Sequence, residues 1–509
     1  MKIFTNAQIR AIERAVIEKE GVTTIELVER AASAVAWEIM SRWRASRPMM
    51  VFAGPGNNGA DALAVARMLA DEGYSVEVLL FNVTERGLSE ACAHFRDALN
   101  DVPGLTFTEI TNDFNPPVIT RETIVIDGLF GSGLKEPLKG GFKSLVDYIN
   151  SSNATIVSID IPSGMFAEWN EATLSRDVIH ASLTLAIEFP RLSFFIQDNA
   201  EFLGEWKVLD IKLAGNEAKG EQSPYYLLEE SDVHRILRPR PEFSSKADFG
   251  SMLLVAGCYG MMGAAQMASL GALRSGVGKL TVHAPRCGFM PMQTAVPEAM
   301  FHADQHDIVI TEISPKHDYN VVAIGPGIGT HDYTVRAVET FINTASKPMV
   351  IDADALNCIA QRPNLLEHVP PMSVITPHAG EFDRLFGTHT SHETRLKTAV
   401  EKSSYYNIII LLKGRYTSVV RPDGKIYFIG SGCPALATPG SGDVLTGIIG
   451  SFIAQGYTPD LAAAIGAYVH GMAGTLAGES DGSYGVLATD VARNTSRAIR
   501  DIVNYSINH

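Results

Sequence analysis

The sequence predicts an α/β protein of two domains, and three observations support this prediction. Short apolar runs alternate with helical stretches along the chain, which is the pattern of parallel strands that are buried on both faces and joined by helices. The chain has 509 residues, more than one ordinary domain of roughly 100–200 residues accounts for. A polar segment without periodicity, residues 215–224, is typical of a linker. We therefore predict domains at residues 1–220 and 221–509.

The first domain opens with two predicted helices. Thr5 with Gln8, and Thr23 with Glu26, each form the Ser/Thr-x-x-Glu/Gln capping box ahead of a helical apolar pattern. A further helix is predicted from residue 60 to 72. Five apolar runs predict the strands of a parallel sheet, at residues 49–54, 76–80, 123–128, 155–160 and 183–189.

The second domain has the same alternation. Six apolar runs predict a second parallel sheet, at residues 251–257, 279–284, 320–325, 348–354, 373–376 and 407–414. The two halves share a layout but no repeated sequence period, so they are different domains and not a duplication.

Composition narrows the class of protein. A hydrophobic fraction of 46% and a charged fraction of 19% are ordinary for a globular protein. The net charge of −15 argues against a nucleic-acid partner, because such proteins neutralise phosphates with clustered Lys and Arg. The five cysteines are scattered without a CxxC pair, which excludes a cysteine zinc cluster and favours a reducing compartment. We expect a cytoplasmic protein, since no signal-peptide pattern opens the sequence.

The most apolar region of the chain does not read as a membrane segment. Residues 444–476 are interrupted by Gln455, Pro459 and Asp460. A bilayer crossing needs about 18 or more consecutive apolar residues. We therefore expect no membrane partner.

A glycine-containing turn follows the first predicted strand. The segment AGPGNNGADALAVARML (53–69) leads from that strand into a helix, whose free N–H groups and dipole favour a bound phosphate. The alternative is a tight strand-to-helix turn that Asn57 or Asn58 caps.

Three other strand ends of the first domain carry oxygen-bearing side chains, namely Asp127, Asp160 with Ser163, and Thr184. Ligands of parallel sheets gather at the carboxyl ends of strands, so Asn58, Asp127, Asp160 and Ser163 are predicted to converge on one crevice. Hard oxygen ligands suit an alkali or alkaline-earth ion, and a remaining carboxylate suits general acid/base work. A single Asp at any of these positions is equally typical of a helix cap, but the grouping on successive strand ends favours a site.

The second domain contains the segment TPGSGDVLTG (438–447), in which two glycines precede Asp443 and an apolar helix. The free N–H groups at such a helix start can hold a transferring phosphoryl group, with Asp443 as the base. The alternative is a glycine-rich turn with Asp443 as the helix cap. Of the other strand-end candidates, His378 lies near Glu381, and Lys413 either faces a nucleotide phosphate or is a solvated charge.

The segments GPGNNGAD, DGLFGSG, DIPSG and FPR resemble the epimerase domain of NAD(P)H-hydrate repair proteins, over residues 1 to about 215. This resemblance implies a Rossmann-like three-layer α/β/α domain in which Asp160 is the acid/base and Asn58, Asp127 and Ser163 bind potassium. It implies that the hydrated cofactor is bound by Asn57, Asn58, Gly59, Ala60, Asp61, Gly131, Ser132, Gly133, Leu134, Lys135, Glu136, Pro137 and Asp160. The sequence departs from the family at Ala60 and Ala62, where Gly is usual, and at Arg191, where Lys is usual.

The second half, from about residue 225 to 505, resembles the ribokinase-like dehydratase domain of the same proteins. The resemblance implies that Ala264, Gly327, His378 and Asp443 bind the hydrated nicotinamide. It also implies that the adenine nucleotide is bound by Lys413, Gly414, Arg415, Tyr416, Thr417 and Gly442. Departures at Ser245 and Cys433 concern peripheral contacts.

Fusion of the two halves resembles the bifunctional repair family, which returns NADHX and NADPHX to NADH and NADPH. The resemblance implies epimerisation in the first domain and dehydration of the S epimer in the second, with ADP as co-substrate, K⁺ and Mg²⁺ as ions, and a homo-oligomer. One alternative is a small-molecule kinase, because the phosphate loop and Asp443 suit an ordinary alcohol equally well. Another is that the first domain is a non-catalytic binding module.

Overall fold

The computed structural model describes residues 1–83, 87–112, 114–170, 177–213 and 215–505. The chain forms two compact units, Lys2–Ser223 and a second that begins at Pro224. The segment predicted as an aperiodic linker contains a short helix, Asn216–Gly220. The polar composition of this segment concealed that helix, because five residues are too few to show a helical period.

The first unit contains a seven-stranded parallel sheet. The strands of this unit are β1 (Lys2–Ile3), β2 (Met49–Ala53), β3 (Val76–Phe81), β4 (Leu105–Ile110), β5 (Ile124–Gly128), β6 (Thr155–Ile159), β7 (Leu183–Ile187) and β8 (Glu205–Leu209). The order in the sheet is β4-β3-β2-β5-β6-β7-β8. The five strands that the apolar runs predicted are all present at the centre of the sheet.

The helices of the first unit are α1 (Asn6–Glu20), α2 (Thr24–Arg42), α3 (Asn57–Asp71), α4 (Glu90–Asp97), α5 (Gly140–Asn150), α6 (Ala200–Leu203) and α7 (Asn216–Gly220). Both predicted capping boxes are confirmed, at Thr5 and at Thr23. The alternative in which Asn57 or Asn58 caps α3 is wrong, since Gly56 precedes the helix and Asn57 is its first residue. This leaves the N–H groups at the start of α3 without a side-chain cap.

Both faces of the first sheet are covered. Met49, Val51 and Ala53 of β2 belong to one apolar core, whereas Met50 and Phe52 belong to another. Because alternate residues of a strand point to opposite faces, each core lies on its own side of the sheet. This is the three-layer arrangement that the sequence predicted.

The second unit has its own sheet. Its strands are β9 (Tyr225–Leu228), β10 (Ser251–Val255), β11 (Lys279–Ala284), β12 (Met300–Ala303), β13 (Val321–Ile324), β14 (Met349–Ile351), β15 (Val374–Ile375), β16 (Ile409–Leu412), β17 (Thr417–Val420) and β18 (Ile426–Ile429). Within this unit the order is β9-β18-β17-β16-β15-β14-β13-β10-β11-β12. Strands β10 to β16 pair in parallel, but β17 runs antiparallel to both β16 and β18. The six strands predicted for this domain are thus all present and parallel, and the sheet continues beyond β16 with strands that were not predicted.

The helices of the second unit are α8 (Glu230–Ile236), α9 (Met262–Arg274), α10 (Phe289–Ala295), α11 (Asp332–Thr344), α12 (Ala353–Ala360), α13 (Ala379–Phe386), α14 (His392–Tyr406), α15 (Ser441–Ala454), α16 (Pro459–Asp481) and α17 (Ala488–Val503). Helices α9 and α15 approach each other closely at two glycines. A Cβ on Gly447 would overlap the Ala268 carbonyl oxygen, and a Cβ on Gly271 would overlap that of Val444. This contact fixes the position of α15.

Helix α16 is longer and more apolar than we expected from the sequence. Among the described residues it alone is long and apolar enough to span a membrane, because two of the interrupting residues, Pro459 and Asp460, are its first two residues and leave the rest of the helix mostly apolar. However, 72% of its apolar window is buried inside the protein. It packs in the core of the second unit, where Ala462, Ile465 and Val469 are almost fully buried.

Candidate active sites

Asp160 and Arg191 form the centre of the first site. Asp160 directly follows β6 with a φ of 67°, a left-handed conformation that is strained for a residue with a side chain. Its carboxylate accepts hydrogen bonds from Arg191 Nη2 at 2.5 Å and from the Ser132 backbone N–H at 3.4 Å. Both side chains are buried, with 6% of Asp160 and 4% of Arg191 exposed. The guanidinium therefore holds the carboxylate in one orientation.

Asp127 lies within β5, one residue before its carboxyl end, and its side chain is hydrogen-bonded to Ser158 of β6 and to Ser163 after β6. Its Oδ1 accepts a hydrogen bond from Ser163 Oγ at 2.5 Å, and its Oδ2 accepts from Ser163 N at 2.9 Å and Ser158 Oγ at 2.8 Å. Burial raises the pKa of the Asp127 carboxyl, and the hydrogen bonds from Ser163 and Ser158 oppose that shift. The structure thus brings together two of the three residues predicted to bind a cation.

Asn58 lies in the first turn of α3 and is 9% exposed. Neither atom of its side-chain amide has a hydrogen-bond partner among the described residues. A Cβ on Gly131 would lie 3.2 to 3.3 Å from the Asn58 side chain, so glycine at 131 leaves room beside the amide. A buried amide without partners is costly unless a ligand satisfies it. Asn58, Asp127 and Ser163 thus fit an oxygen-coordinated cation such as potassium.

Two further carboxyl groups, those of Asp61 and Glu13, interact electrostatically with Asp160. Burial raises the pKa of Asp61 well above its usual range, and the charges of Asp160 and Glu13 raise it further. Burial also raises the pKa of Glu13, which feels the charges of Arg191 and Asp160. Glu13 was not predicted as a site residue, because nothing in its local sequence indicates which side chains α1 contacts. The site therefore combines several acids with one buried guanidinium.

The remaining predicted residues of the first site lie in two segments. Asn57, Gly59 and Ala60 belong to the first turn of α3, and residues 131–137 lie between β5 and α5. A Cβ on Gly59 would overlap the Gly54 carbonyl oxygen, so only glycine fits there. Thr184 does not belong to this site. It lies within β7, is fully buried, and its hydroxyl donates to the Leu203 carbonyl at 2.8 Å.

The second site begins where α15 starts. Gly440 precedes the helix with a φ of 88°, and no side chain caps the free N–H groups. The alternative in which Asp443 is the helix cap is therefore wrong. Asp443 lies in the first turn instead, where burial and then the charge of Asp352 are the largest causes that raise its pKa to about 7. Lys413 opposes this shift. A pKa near neutrality suits a general base.

Asp352 connects the second site to the strand edge. It is 1% exposed, and its Oδ1 accepts a hydrogen bond from Lys413 Nζ at 2.8 Å while its Oδ2 accepts from Thr446 Oγ1 at 2.6 Å. Lys413 is thus an ion-pair partner and not a solvated charge. A Cβ on Gly442 would lie 3.1 Å from Lys413 Nζ, so glycine keeps this lysine next to the start of α15. Asp352 was not among the residues predicted for this site.

His378 has a structural contact of its own. It precedes α13, and its Nδ1 accepts hydrogen bonds from Gly380 N at 3.0 Å and Glu381 N at 3.4 Å. The other ring nitrogen lies 3.3 Å from Glu381 Oε1. Half of the ring remains exposed, so the capping contact leaves a face open to a ligand.

The other predicted residues of the second site fall into two places. Gly327, with a φ of 63°, and Ala264 are in contact, since a Cβ on Gly327 would lie 2.8 Å from the Ala264 methyl. Gly414, Arg415 and Tyr416 follow Lys413 between β16 and β17, and Thr417 is the first residue of β17. Those residues form a turn in which Thr417 Oγ1 donates to the Gly414 carbonyl at 3.3 Å and Arg415 lies 5.0 Å from the Tyr416 ring.

Two family models match the chain, one for each unit. Residues 24–193 match the YjeF-related protein N-terminus, and residues 252–497 match the NAD(P)H-hydrate dehydratase family. A bifunctional NAD(P)H-hydrate repair enzyme from Moorella thermoacetica is 31% identical, with 99% of each chain covered. The chain belongs to the family of bifunctional NAD(P)H-hydrate repair enzymes. The member from Escherichia coli is 31% identical over 96% of this chain and 92% of its own.

Membership of the repair-enzyme family confirms the predicted fold class and the predicted class of enzyme. The alternative of an ordinary small-molecule kinase does not fit a match that extends over both units. Among solved structures, an ADP/ATP-dependent NAD(P)H-hydrate dehydratase from Bacillus subtilis is 30% identical and covers 54% of this chain and 98% of its own, with a TM-score of 0.49.

Proposed function

We propose that this repair enzyme interconverts the R and S epimers of NADHX and NADPHX in its first unit. In the second unit it converts the S epimer to NADH or NADPH with ADP, and releases AMP and phosphate. The observation that carries this proposal is the position of Asp443, a partly buried carboxyl with a pKa near 7 at the uncapped start of α15, beside the pair of Lys413 and Asp352.

In the dehydration, Asp443 accepts the proton of the hydroxyl at C6 of the hydrated ring. The oxygen attacks the β-phosphoryl of ADP, and AMP leaves with the electron pair of the broken P–O bond. Loss of phosphate from C6 and a proton from C5 then restores the ring double bond. The N–H groups of Gly442 and Asp443 in the first turn of α15, which no side chain caps, support the charge on the phosphoryl oxygens.

The proposed nucleotide residues are Lys413, Gly414, Arg415, Tyr416, Thr417 and Gly442, and the proposed residues for the hydrated ring are Ala264, Gly327, His378 and Asp443. Magnesium neutralises phosphate charge when it is bound with the nucleotide. Among the described residues no group of three or more Asp, Glu, His or Cys side chains is arranged for a metal. This fits an ion that one or two carboxylates, from Asp352, Asp354 or Glu381, hold together with the phosphates.

In the epimerisation, Asp160 moves protons at C6, since it is the carboxylate that the strained end of β6 and Arg191 hold in place. Asn58, Asp127 and Ser163 are the proposed potassium ligands. Potassium supplies positive charge that orders the segments after β5 and β6. The cytoplasmic location and the homo-oligomer remain predictions.

The test uses a mixture of R and S NADHX with ADP, and follows the recovery of NADH absorbance and the release of AMP. The intact chain is expected to convert the whole mixture. Asp160→Asn is expected to stop after the S epimer is consumed, and Asp443→Asn to form no NADH. Asp147→Asn, an exposed change on α5, is the matched control.

Two results would contradict the proposal. Unchanged conversion of the R epimer by Asp160→Asn would show that the first unit is a binding module. Release of AMP only with a sugar or pyrimidine alcohol, with NADHX left intact, would show that the second unit is a kinase-like enzyme of another substrate.

A further inference from the structure

Arg191 has more hydrogen-bond donors than the protein uses. One arm, Nη2, donates to Asp160, while Nε and Nη1 are buried and have no partner among the described residues. The whole side chain is 4% exposed. Because a buried charged donor without an acceptor is strongly unfavourable, this arrangement indicates an acceptor that arrives with a ligand.

The surroundings of Arg191 restrict the chemistry of that acceptor. Asp160 occupies one arm, and the charge of Glu13 also acts on the same guanidinium and carboxylate pair. Asp61 is a further buried acid whose neighbours include Asp160 and Glu13. This acidic neighbourhood would repel a phosphate or a carboxylate. A neutral oxygen, such as a hydroxyl or an amide carbonyl, is the acceptor that fits.

The contact with Asp160 places that oxygen near the reacting carbon. We propose that Arg191 donates an unused N–H group of Nε or Nη1 to the hydroxyl oxygen at C6 of the hydrated nicotinamide, and so fixes this oxygen beside Asp160. This inference rests on the proposed epimerase function. Arginine keeps its charge at any working pH, so Arg191 binds the oxygen and moves no proton. The proton transfer stays with Asp160.

The C6 hydroxyl separates this proposal from contacts elsewhere on the cofactor. NADHX carries the hydroxyl and NADH does not, whereas both have the carboxamide, the riboses and the phosphates. A donor to the hydroxyl oxygen therefore contributes to the binding and turnover of NADHX but not to the binding of NADH. A donor to the carboxamide would contribute to both.

The experiment measures R-to-S epimerisation of NADHX by the full chain without ADP, so that the second unit is idle, with NADH as the competing inhibitor. Arg191→Met is expected to lower kcat/KM about 100-fold, the scale seen when one donor to a reacting oxygen is removed. The inhibition constant of NADH is expected to stay within about twofold. Arg191→Lys retains a cation for Asp160 and is expected to lose about tenfold. Arg30→Met, on the partly exposed surface of α2, is the control for loss of charge.

Three outcomes would overturn the proposal. The first is a kcat/KM for Arg191→Met equal to that of the intact chain. The second is a parallel rise of KM and of the NADH inhibition constant, which would place Arg191 on a group common to both compounds. The third is a loss in Arg191→Lys as complete as in Arg191→Met, together with a lost circular-dichroism signal, which would show a purely structural role. Absence of epimerisation in the intact chain would instead contradict the proposed function.

Discussion

At the residue scale, the chemistry of the second unit depends on how Asp443 is surrounded. Burial is the largest cause of its raised pKa, and the charge of Asp352 comes next. Lys413 opposes both, but its ammonium is shared with Asp352 at 2.8 Å. Burial and the charge of Asp352 therefore set the pKa of Asp443 near neutral pH, although Lys413 lowers it.

This arrangement predicts the pH dependence of dehydration. The kcat/KM for S-NADHX is expected to rise with pH through about 7, as Asp443 loses its proton. In Asp352→Asn a negative charge is removed and Lys413 loses its partner, so the pKa of Asp443 falls and the rising limb moves to lower pH. The measurement is the pH profile of NADH formation under limiting substrate. A limb that stays at the same pH in Asp352→Asn, whatever its height, would contradict this account of Asp443.

Because of His470, we expect the free energy of unfolding to decrease in acid. Its Nε2 lies 2.9 Å from the Ser441 carbonyl oxygen and 3.0 Å from Ser441 Oγ, at the start of α15. Burial lowers its pKa to about 4 from the usual 6.5. Between pH 6.5 and 4 this histidine therefore binds a proton in the unfolded chain but not in the folded chain. The free energy of unfolding decreases as the pH falls through this window.

The measurement is thermal unfolding of the second unit at several pH values. The decrease attributable to His470 is on the order of 3 kcal/mol across the window. His470→Asn is expected to flatten this dependence, whereas His317→Asn, an exposed change in the same unit, is expected to leave it unchanged. An equal acid dependence in His470→Asn and in the intact chain would show that another group is responsible.

Sequence reasoning placed Asp160, Ser163 and Asp443 correctly at strand ends or at the start of a helix, because these positions follow directly from local apolar patterns. It could not place Glu13, whose neighbours come from distant parts of the chain. It also could not show that Lys413 is paired with Asp352, since the two residues are 61 positions apart. Such contacts depend on how neighbouring strands and helices are arranged in space.

At the element scale, the start of α15 is positioned by close packing against α9. The two glycines at their contact, Gly271 and Gly447, leave no space for a side chain. Glycine lowers helix propensity, by about 1 kcal/mol relative to alanine, so its presence in both helices indicates that close approach matters more than local stability.

Gly447→Ala is therefore expected to destabilise the second unit by about 1–3 kcal/mol, because a methyl group would overlap the Ala268 carbonyl oxygen. The displaced start of α15 is also expected to lower the rate of dehydration. Thermal unfolding and NADH formation are the measurements. Gly263→Ala on α9, where no atom lies within 4 Å of the added methyl, is the control for thermal stability. Equal unfolding temperatures for the two variants would contradict the packing argument.

Elements at the edges of the sheets were harder to predict than those at the centre. β4 and β8 alternate exposed and buried residues, so neither forms the continuous apolar run that revealed β2 and β5. Edge strands have one face in water, which mixes polar residues into their sequence. The antiparallel strand β17 was missed because its four residues, TSVV, include Thr and Ser and form no continuous apolar run.

At the scale of the whole molecule, each site is built from one unit. The residues proposed for epimerisation lie within Lys2–Ser223, and those proposed for dehydration lie after Pro224. A defect in one site should therefore leave the other intact. The two steps are linked by the S epimer alone, unless the intermediate is passed on without release.

Mixing two inactive variants tests this independence. Starting from R-NADHX and ADP, Asp160→Asn alone and Asp443→Asn alone are each expected to form NADH only at the rate of spontaneous chemistry. An equal mixture of the two is expected to form NADH, because the S epimer released by one chain is consumed by the other. The measurement is NADH absorbance over time. A mixture as inactive as its components would show that the epimer is not exchanged between chains.

The sequence by itself determined the two-domain α/β class, the central strands, the helix caps at Thr5 and Thr23, and the general positions of Asp160 and Asp443. These features depend on local periodicity and capping, which a single stretch of chain contains. Only the tertiary structure decided the ion pairs of Arg191 with Asp160 and of Lys413 with Asp352, and the burial that raises the pKa of Asp443. Those properties depend on groups that are distant in sequence and on the exclusion of water, which are established only when the sheet and its helices pack together.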